Sequence, residues 1–140
     1  MTDAITLDIV SAEKSLYTGT VTNVIATGSE GELGIKPGHT ALLTGLKPGQ
    51  IIAMDTDGRE QSFYISGGML EVQPKKVTVL ADTAERAEDL DEAQALEAKK
   101  RAEAMLNDKQ SDMDYSKAAV ALAEAVAQIQ AIKKLRKNPH

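Results

Sequence analysis

Few residues in this sequence are of a type and spacing that could do chemistry. Glu30 and Glu32 flank Gly31. Two carboxylates this close can share a proton or grip a cation, but acids beside a turn glycine are ordinarily just solvated. The only histidines are His39 and His140. A transition-metal site needs three or four ligands, and no second ligand stands at useful spacing from His39, so no metal site is expected. There is no Cys, which removes thiolate sites and disulfides. Gly28-Ser29-Glu30-Gly31 does not match a dinucleotide fingerprint, and no nucleophile elbow or phosphate-cradling loop occurs. No acid–base–nucleophile set can be assembled. The sequence therefore reads as a binding surface with no catalytic residue and no cofactor. Two groups remain for recognition: Glu32, Lys36 and His39 within one glycine-rich stretch, and Lys133, Lys134, Arg136 and Lys137 near the end of the chain.

The first group sits between Gly28 and Pro48, where short apolar runs alternate with Gly and Pro. Such punctuation makes closely spaced turns that present side chains in set directions. Around it the sequence predicts strands. Ile5, Leu7 and Ile9 alternate with Thr6, Asp8 and Val10, and Val21 to Thr27 carries apolar residues on both faces. A turn is expected at Leu16–Gly19. Leu33–Ile35, Ala41–Thr44 and Gln50–Met54 are further short strands. Asp57-Gly58 signals a hairpin returning through Ser62–Ser66, and Met69–Val72 with Lys76–Leu80 forms another around Gln73-Pro74-Lys75. Many short strands with turns between them predict an antiparallel β-sandwich. Its core is expected from Leu7, Ile9, Val24, Ile25, Leu33, Ile35, Leu42, Leu43, Ile51, Phe63, Ile65, Leu70, Val72, Val77 and Val79.

From Ala84 onward the composition switches from strand formers to Ala, Glu, Lys, Leu and Gln. The expected division is a sandwich over 1–84 and a helical domain over 85–140, an α+β chain overall. Asp89 with Glu92 predicts a helix start, and the helix runs to about Leu106. Its small seam is Ala95, Ala98, Ala102 and Met105. Asn107–Asp114 is a polar linker with cap residues in Asp112 and Asp114, and a second helix runs from Tyr115 to about Lys137. Ala118, Leu122, Ala125, Ile129 and Ile132 form its apolar stripe, with Val126 beside it. A short connection predicts an antiparallel hairpin. Alanine seams bury little area, so such helices can exchange packing partners while staying helical. The four bases at the end of the second helix suit its dipole and also make a cationic tip.

The run Gly28-Ser29-Glu30-Gly31-Glu32-Leu33-Gly34-Ile35-Lys36-Pro37-Gly38-His39-Thr40-Ala41-Leu42-Leu43-Thr44 closely resembles the signature of the epsilon-subunit family of bacterial F-type ATP synthases. Asp8–Glu13, Ile65–Val72 and Val77–Asp82 match the same family in order and spacing. The resemblance implies a non-catalytic rotor subunit of the central stalk. Its Glu32 loop would meet the polar loops of the c-ring. The face around Ser11 and His39 would meet gamma. The C-terminal helices would inhibit ATP hydrolysis, with Lys133, Lys134, Arg136 and Lys137 against acidic residues of the alpha/beta head. Some members of the family bind ATP through Ile/Leu-Asp-x-x-Arg-Ala. The corresponding stretch is Leu90-Asp91-Glu92-Ala93-Gln94-Ala95, where Gln94 replaces the arginine, and Gln130 stands where some relatives have another. Glutamine brings no charge to a phosphate. An ATP-sensing module built on Leu90, Asp91, Gln94 and Ala95 is the alternative reading.

The formal net charge of −5 and the absence of Trp argue against a nucleic-acid partner. No apolar run reaches a membrane span, and no basic-then-apolar leader opens the chain. These point to a soluble cytoplasmic protein. With the resemblance, they place it peripherally on the cytoplasmic face of the bacterial inner membrane.

Overall fold

The structure is a computed structural model. It describes residues 3–28, 30–108 and 112–137, with the side chains of residues 108, 112–114, 136 and 137 outside the described set. Eight strands come first: β1 (Ile5–Ser11), β2 (Ser15–Gly28), β3 (Gly31–Ile35), β4 (Leu42–Asp55), β5 (Glu60–Ile65), β6 (Gly68–Val72), β7 (Lys76–Ala81) and β8 (Ala84–Arg86). Two helices follow, α1 (Glu92–Asp108) and α2 (Asp112–Lys137).

Two 14-residue strands, β2 and β4, build the sandwich. The first half of β2 pairs with β1 and the second with β3. In the same way the first half of β4 pairs with β6 and the second with β5. The second halves also pair with each other, Val24 with Ala53 and Ala26 with Ile51. Each long strand thus passes from one layer to the next, and the pairing closes the strands into a flattened barrel. Lys47-Pro48 marks the point where β4 changes partner. Proline offers no amide to a ladder, so a change of partner is where it is tolerated.

This differs from the turn expected at Leu16–Gly19 and from the two strands expected at Ala41–Thr44 and Gln50–Met54. The chain runs extended through Leu16–Gly19 as part of β2, and a single strand replaces the two expected around Pro48. The sandwich is also not wholly antiparallel, because β1 and β7 pair in parallel, Leu7 with Val77 and Ile9 with Val79. The three-residue β8 was not anticipated. It pairs with β5, Ile65 with Ala84 and Phe63 with Arg86, so the sheet crosses residue 84. The Asp57-Gly58 turn forms as expected. Asp55 Oδ1 accepts the N–H groups of Asp57 and Arg59, both at 2.9 Å, and Gly58 adopts φ +83°.

Most of the expected core is buried, with Phe63, Leu7, Ile9, Val24, Ile35, Ile51, Ile65, Leu70, Val72, Val77 and Val79 inside. Ile25, Leu33 and Leu42 are half-buried. Leu43 is the failure, 65% exposed. Its neighbour Leu42 pairs with buried Val72, so strand alternation turns Leu43 outward beside Glu71. Ile5 joins Leu7 and Ile9 on their buried face, and Val21, Ala26, Leu46, Ala53, Ala81 and Ala84 join the core unannounced.

Residues 87–89 form a single 3-10 turn, closed by the Leu90 N–H on Ala87 O at 3.2 Å. Asp89 lies inside that turn and cannot cap α1. Asp91 does so instead, its Oδ1 accepting the Gln94 N–H at 3.2 Å. In the seam between α1 and α2, Ala95, Ala102, Ala118 and Ala125 are buried, while Met105 is 46% exposed. Residues 109–111 are outside the described set, and the expected caps Asp112 and Asp114 fall among its undescribed side chains. α2 packs on α1 along one side and on β4 and β5 along another. It therefore buries two faces, with Ala127 and Ala131 added to the stripe read from the sequence. Beneath it Ile52 and Tyr64 point out of the sheet yet are buried.

Candidate functional site

In β6 and β7 the inward residues are Leu70, Val72, Val77 and Val79. Alternation therefore turns Met69 and Leu80 outward, where they pair with each other. Leu80 also pairs with Val10 of β1, and Met69 with Gly45 of β4. Leu43 stands two residues before Gly45 on the same side. Leu80 is 51% exposed and Met69 41%. Together these residues make an apolar band across four strands. Contiguous exposed apolar surface of this kind marks an interaction site, whereas scattered leucines do not. One row away stand Glu71, Thr78 and Asp8, with Asp8 bridged to Lys76 at 3.2 Å. An ion pair this exposed is worth under ~1 kcal/mol.

Ser11 ends β1 next to Val10, and alternation sets it on the side of Ile9 and its partner Ala81. Its Oγ donates to Lys14 O and accepts the Glu13 N–H, both at 3.4 Å. His39 lies at the other end. Its N–H bonds Lys36 O at 3.1 Å, and the Gly38 N–H bonds Pro74 O at 2.8 Å, which seats this turn on the β6–β7 turn. His39 Nδ1 lies 2.7 Å from Thr40 O. The β6–β7 turn in turn meets the start of β1, where the Thr6 N–H bonds Lys75 O at 3.1 Å. Ser11 and His39 thus stand at opposite ends of β1, which at ~3.3 Å per residue separates Thr6 from Ser11 by roughly 17 Å. Between them the outer face of β1 runs from Val10 in the apolar band to Asp8 in its ion pair with Lys76.

Glu32 is elsewhere. It is exposed on the edge strand β3, opposite Thr27. An open groove of ≈ 490 Å³ lies beside it, lined by Asn23, Ile25, Gly34, Lys36 and His39 among others. Lys36 is exposed at its rim.

On the hairpin, Lys133 is exposed and Lys134 half-buried. Arg136 and Lys137 belong to α2, with their side chains outside the described residues. The residues named for ATP do not converge as ligands. Asp91 spends Oδ1 on the start of α1, Ala95 is buried in the helix seam, Leu90 is half-buried, and Gln94 is exposed. Gln130 lines a separate cleft of ≈ 370 Å³ with Pro48, Leu106 and Tyr115. Among the described residues no three His, Cys, Asp or Glu side chains group as metal ligands.

Sequence reasoning named none of the residues in the contact between hairpin and sandwich. Tyr64 is buried under α2, with Gln128 beside its hydroxyl. Burial foremost, then the charges of Glu124 and Glu85, push the Tyr64 hydroxyl up to about 12 from its usual 10.0. The folded chain holds that proton more tightly than the unfolded chain. Stability from the neutral phenol is therefore complete below pH 10 and lost as pH rises toward about 12. An alkaline denaturation series should show a loss of about 2 kcal/mol across that window that Tyr64→Phe abolishes. An unchanged slope in Tyr64→Phe would place the titration elsewhere.

A family model for the ATP synthase delta/epsilon chain, beta-sandwich domain, matches residues 4–87, and one for the delta/epsilon long alpha-helix domain matches residues 88–133. The chain belongs to the ATP synthase delta/epsilon family. Within it, the chain is 54% identical to the ATP synthase epsilon chain of Nitrosococcus oceani and 58% identical to that of Legionella pneumophila, each over 94% of both chains. The resemblance read from the glycine-rich stretch is thereby confirmed, as is the sandwich followed by two helices. As a delta/epsilon family member the chain is a subunit of an ATP synthase and not itself catalytic. Its fold is shared by a chain in the cryo-EM structure of Euglena gracilis mitochondrial ATP synthase, OSCP/F1/c-ring in rotational state 1. The TM-score there is 0.84 at 21% identity, covering 92% of this chain and 81% of that one. A chain of the Tetrahymena thermophila mitochondrial ATP synthase central stalk and c-ring gives 0.56 at 16% identity, covering 95% and 96%. No described helix is long and apolar enough to cross a membrane.

Proposed function

We propose that this chain is a rotor subunit of the central stalk of a proton-translocating ATP synthase, joining gamma to the c-ring at the cytoplasmic face of a bacterial inner membrane. The apolar band of Val10, Leu43, Met69 and Leu80 carries this reading. It spans the outer face between Ser11 and His39 and supplies the desolvated area that a torque-bearing contact with gamma needs. Glu32, on a different edge, is free to serve the ring. A well-ordered carboxylate there would contribute ~1–3 kcal/mol to a contact with basic or amide groups. Leu80→Glu should weaken binding of this chain to purified gamma by ~10–100-fold while leaving its unfolding midpoint unchanged, because Leu80 is half in water already. Binding of Leu80→Glu at parental affinity would remove this face from the interface.

The hairpin supplies regulation in the same reading. α2 rests on the sheet through the small residues Ala127 and Ala131 over Ile52 and Tyr64, so it can exchange that support for the catalytic head, with Lys133, Lys134, Arg136 and Lys137 meeting acidic surface. The test is ATP hydrolysis by the purified synthase with the hairpin removed. The cut belongs after Asp89, since β8 runs through Arg86 and Ala87 is buried. Hydrolysis should rise several-fold. An unchanged rate would make the hairpin a brace for the sandwich.

A further inference from the structure

The contact between α2 and the sandwich brings acids together from both sides. Glu124 is half-buried on α2, one turn before Gln128 and on the side shared by buried Ala127 and Ala131. Facing that side are Tyr64 on β5, Asp82 in the β7–β8 turn, and Glu85 on β8, which pairs with Tyr64 across the strands. Asp82 is exposed, on a backbone held in place. Its N–H bonds Gly67 O at 2.9 Å. The next residue, Thr83, is held by its N–H and its hydroxyl on Ser66 Oγ at 2.9 and 2.8 Å. Among the described residues neither Glu124 nor Asp82 is ion-paired, and the Lys76–Asp8 pair lies on another strand pair.

We infer that Glu124 is a proton-operated latch for the hairpin. With its carboxyl neutral, α2 seats against Tyr64 and Asp82. With it ionised, a half-buried charge faces a second carboxylate, and α2 loosens from the sandwich. Burial first, and then Asp82, hold the Glu124 carboxyl above its ordinary 4.5 in the docked chain. In the undocked chain the same group is in water. Docking therefore binds the proton. It is strongest below pH 4.5 and loses this support as pH rises through the docked value. The latch is a property of docking itself and does not depend on what the released hairpin does in the synthase.

The full chain has no cysteine, so one introduced thiol can report undocking alone. Ala131→Cys places it in the buried contact, three residues beyond Gln128. Its alkylation rate is measured from about pH 4, below the ordinary carboxyl value, to about pH 8, with Glu124 native and with Glu124→Gln. Dividing one rate by the other at each pH cancels the titration of the thiol. The ratio should stand near one at the acid end and rise about threefold or more by the alkaline end, since each unit of pKa elevation is a tenfold change in the docking ratio. Asp82→Asn should pull that rise back toward one. A ratio that stays flat with pH, or a rise that Asp82→Asn leaves untouched, would overturn the latch.

Discussion

Gly68→Ala is expected to destabilise the chain by about 3 kcal/mol or more, for the addition of a single methyl group. Gly68 opens β6 at φ +143°, a backbone region that L side chains rarely adopt. A Cβ there would strike Leu80 O and stand 2.9 Å from Ala81 Cα. Both are backbone atoms of β7, and β7 cannot yield. It is hydrogen-bonded to β6 on one side and β1 on the other, at the centre of the closed circuit of strands. Strain in the residue and displacement of a central strand therefore add. Gly34 provides the contrast, since nothing lies within 4 Å of a Cβ built there, and Gly34→Ala should fall within about 0.5 kcal/mol of the parent. Urea unfolding of the two variants checks both numbers. Equal midpoints would mean that the β6–β7 contact relaxes at little cost.

Phe63→Ala should cost about 3–5 kcal/mol. Phe63 is fully buried at the middle of β5 and is the one phenylalanine in the sequence. Its ring centroid lies 5.2 Å from that of Tyr17, tilted at 53°, and the Arg86 guanidinium sits 5.4 Å from it. Arg86 also reaches Gln61 Oε1 and Leu16 O, each at 3.4 Å. The ring thus fills a void where β2, β5 and β8 meet, and its removal leaves a cavity and loosens the last strand before the helices. Phe63→Leu should recover more than half of the loss, because it refills most of the volume without restoring the ring contacts. Calorimetry of the three chains gives the comparison. Equal losses in the Ala and Leu variants would assign the effect to the aromatic contacts alone.

The fold was legible wherever local pattern and tertiary context agreed. Ile5-Leu7-Ile9, Asp57-Gly58 and the Val77-Val79 alternation each named an element and its buried face. It was less legible where a strand serves two partners. Pro48 and Gly49 signal a break in any local reading, and only the exchange of β6 for β5 at that point turns the break into a bend. Leu43 and Asp89 failed for similar reasons. An apolar residue is read as core although its neighbour already fills the inward position, and the cap is read two residues too early, at Asp89 instead of Asp91, because a 3-10 turn intervenes. The site divided in the same way. Glu32, Lys36 and His39 stand out by type and spacing, while Ser11 comes from the resemblance alone. Met69 and Leu80 did not, although carrying the period-two pattern through 68–81 puts both on the outer face. Tyr64, Glu124 and Gln128 come from distant segments and meet only when α2 lies across β5. Nothing in the spacing of those residues announces that meeting.

The parallel pairing of β1 with β7 also sets a timetable for synthesis. Ser11 and Ala81 are partners about 70 residues apart, and at about 5–20 residues per second roughly 4–14 s pass between their appearance. Throughout that interval Ile5, Leu7 and Ile9 have β2 on one edge and nothing on the other. The nascent chain therefore carries an unfinished apolar strand edge until β7 leaves the ribosome, and chaperone occupancy should peak on this segment. The helices are made last and meet a scaffold already closed. A hairpin that arrives after the rest has folded can be detached again without undoing any earlier step of folding.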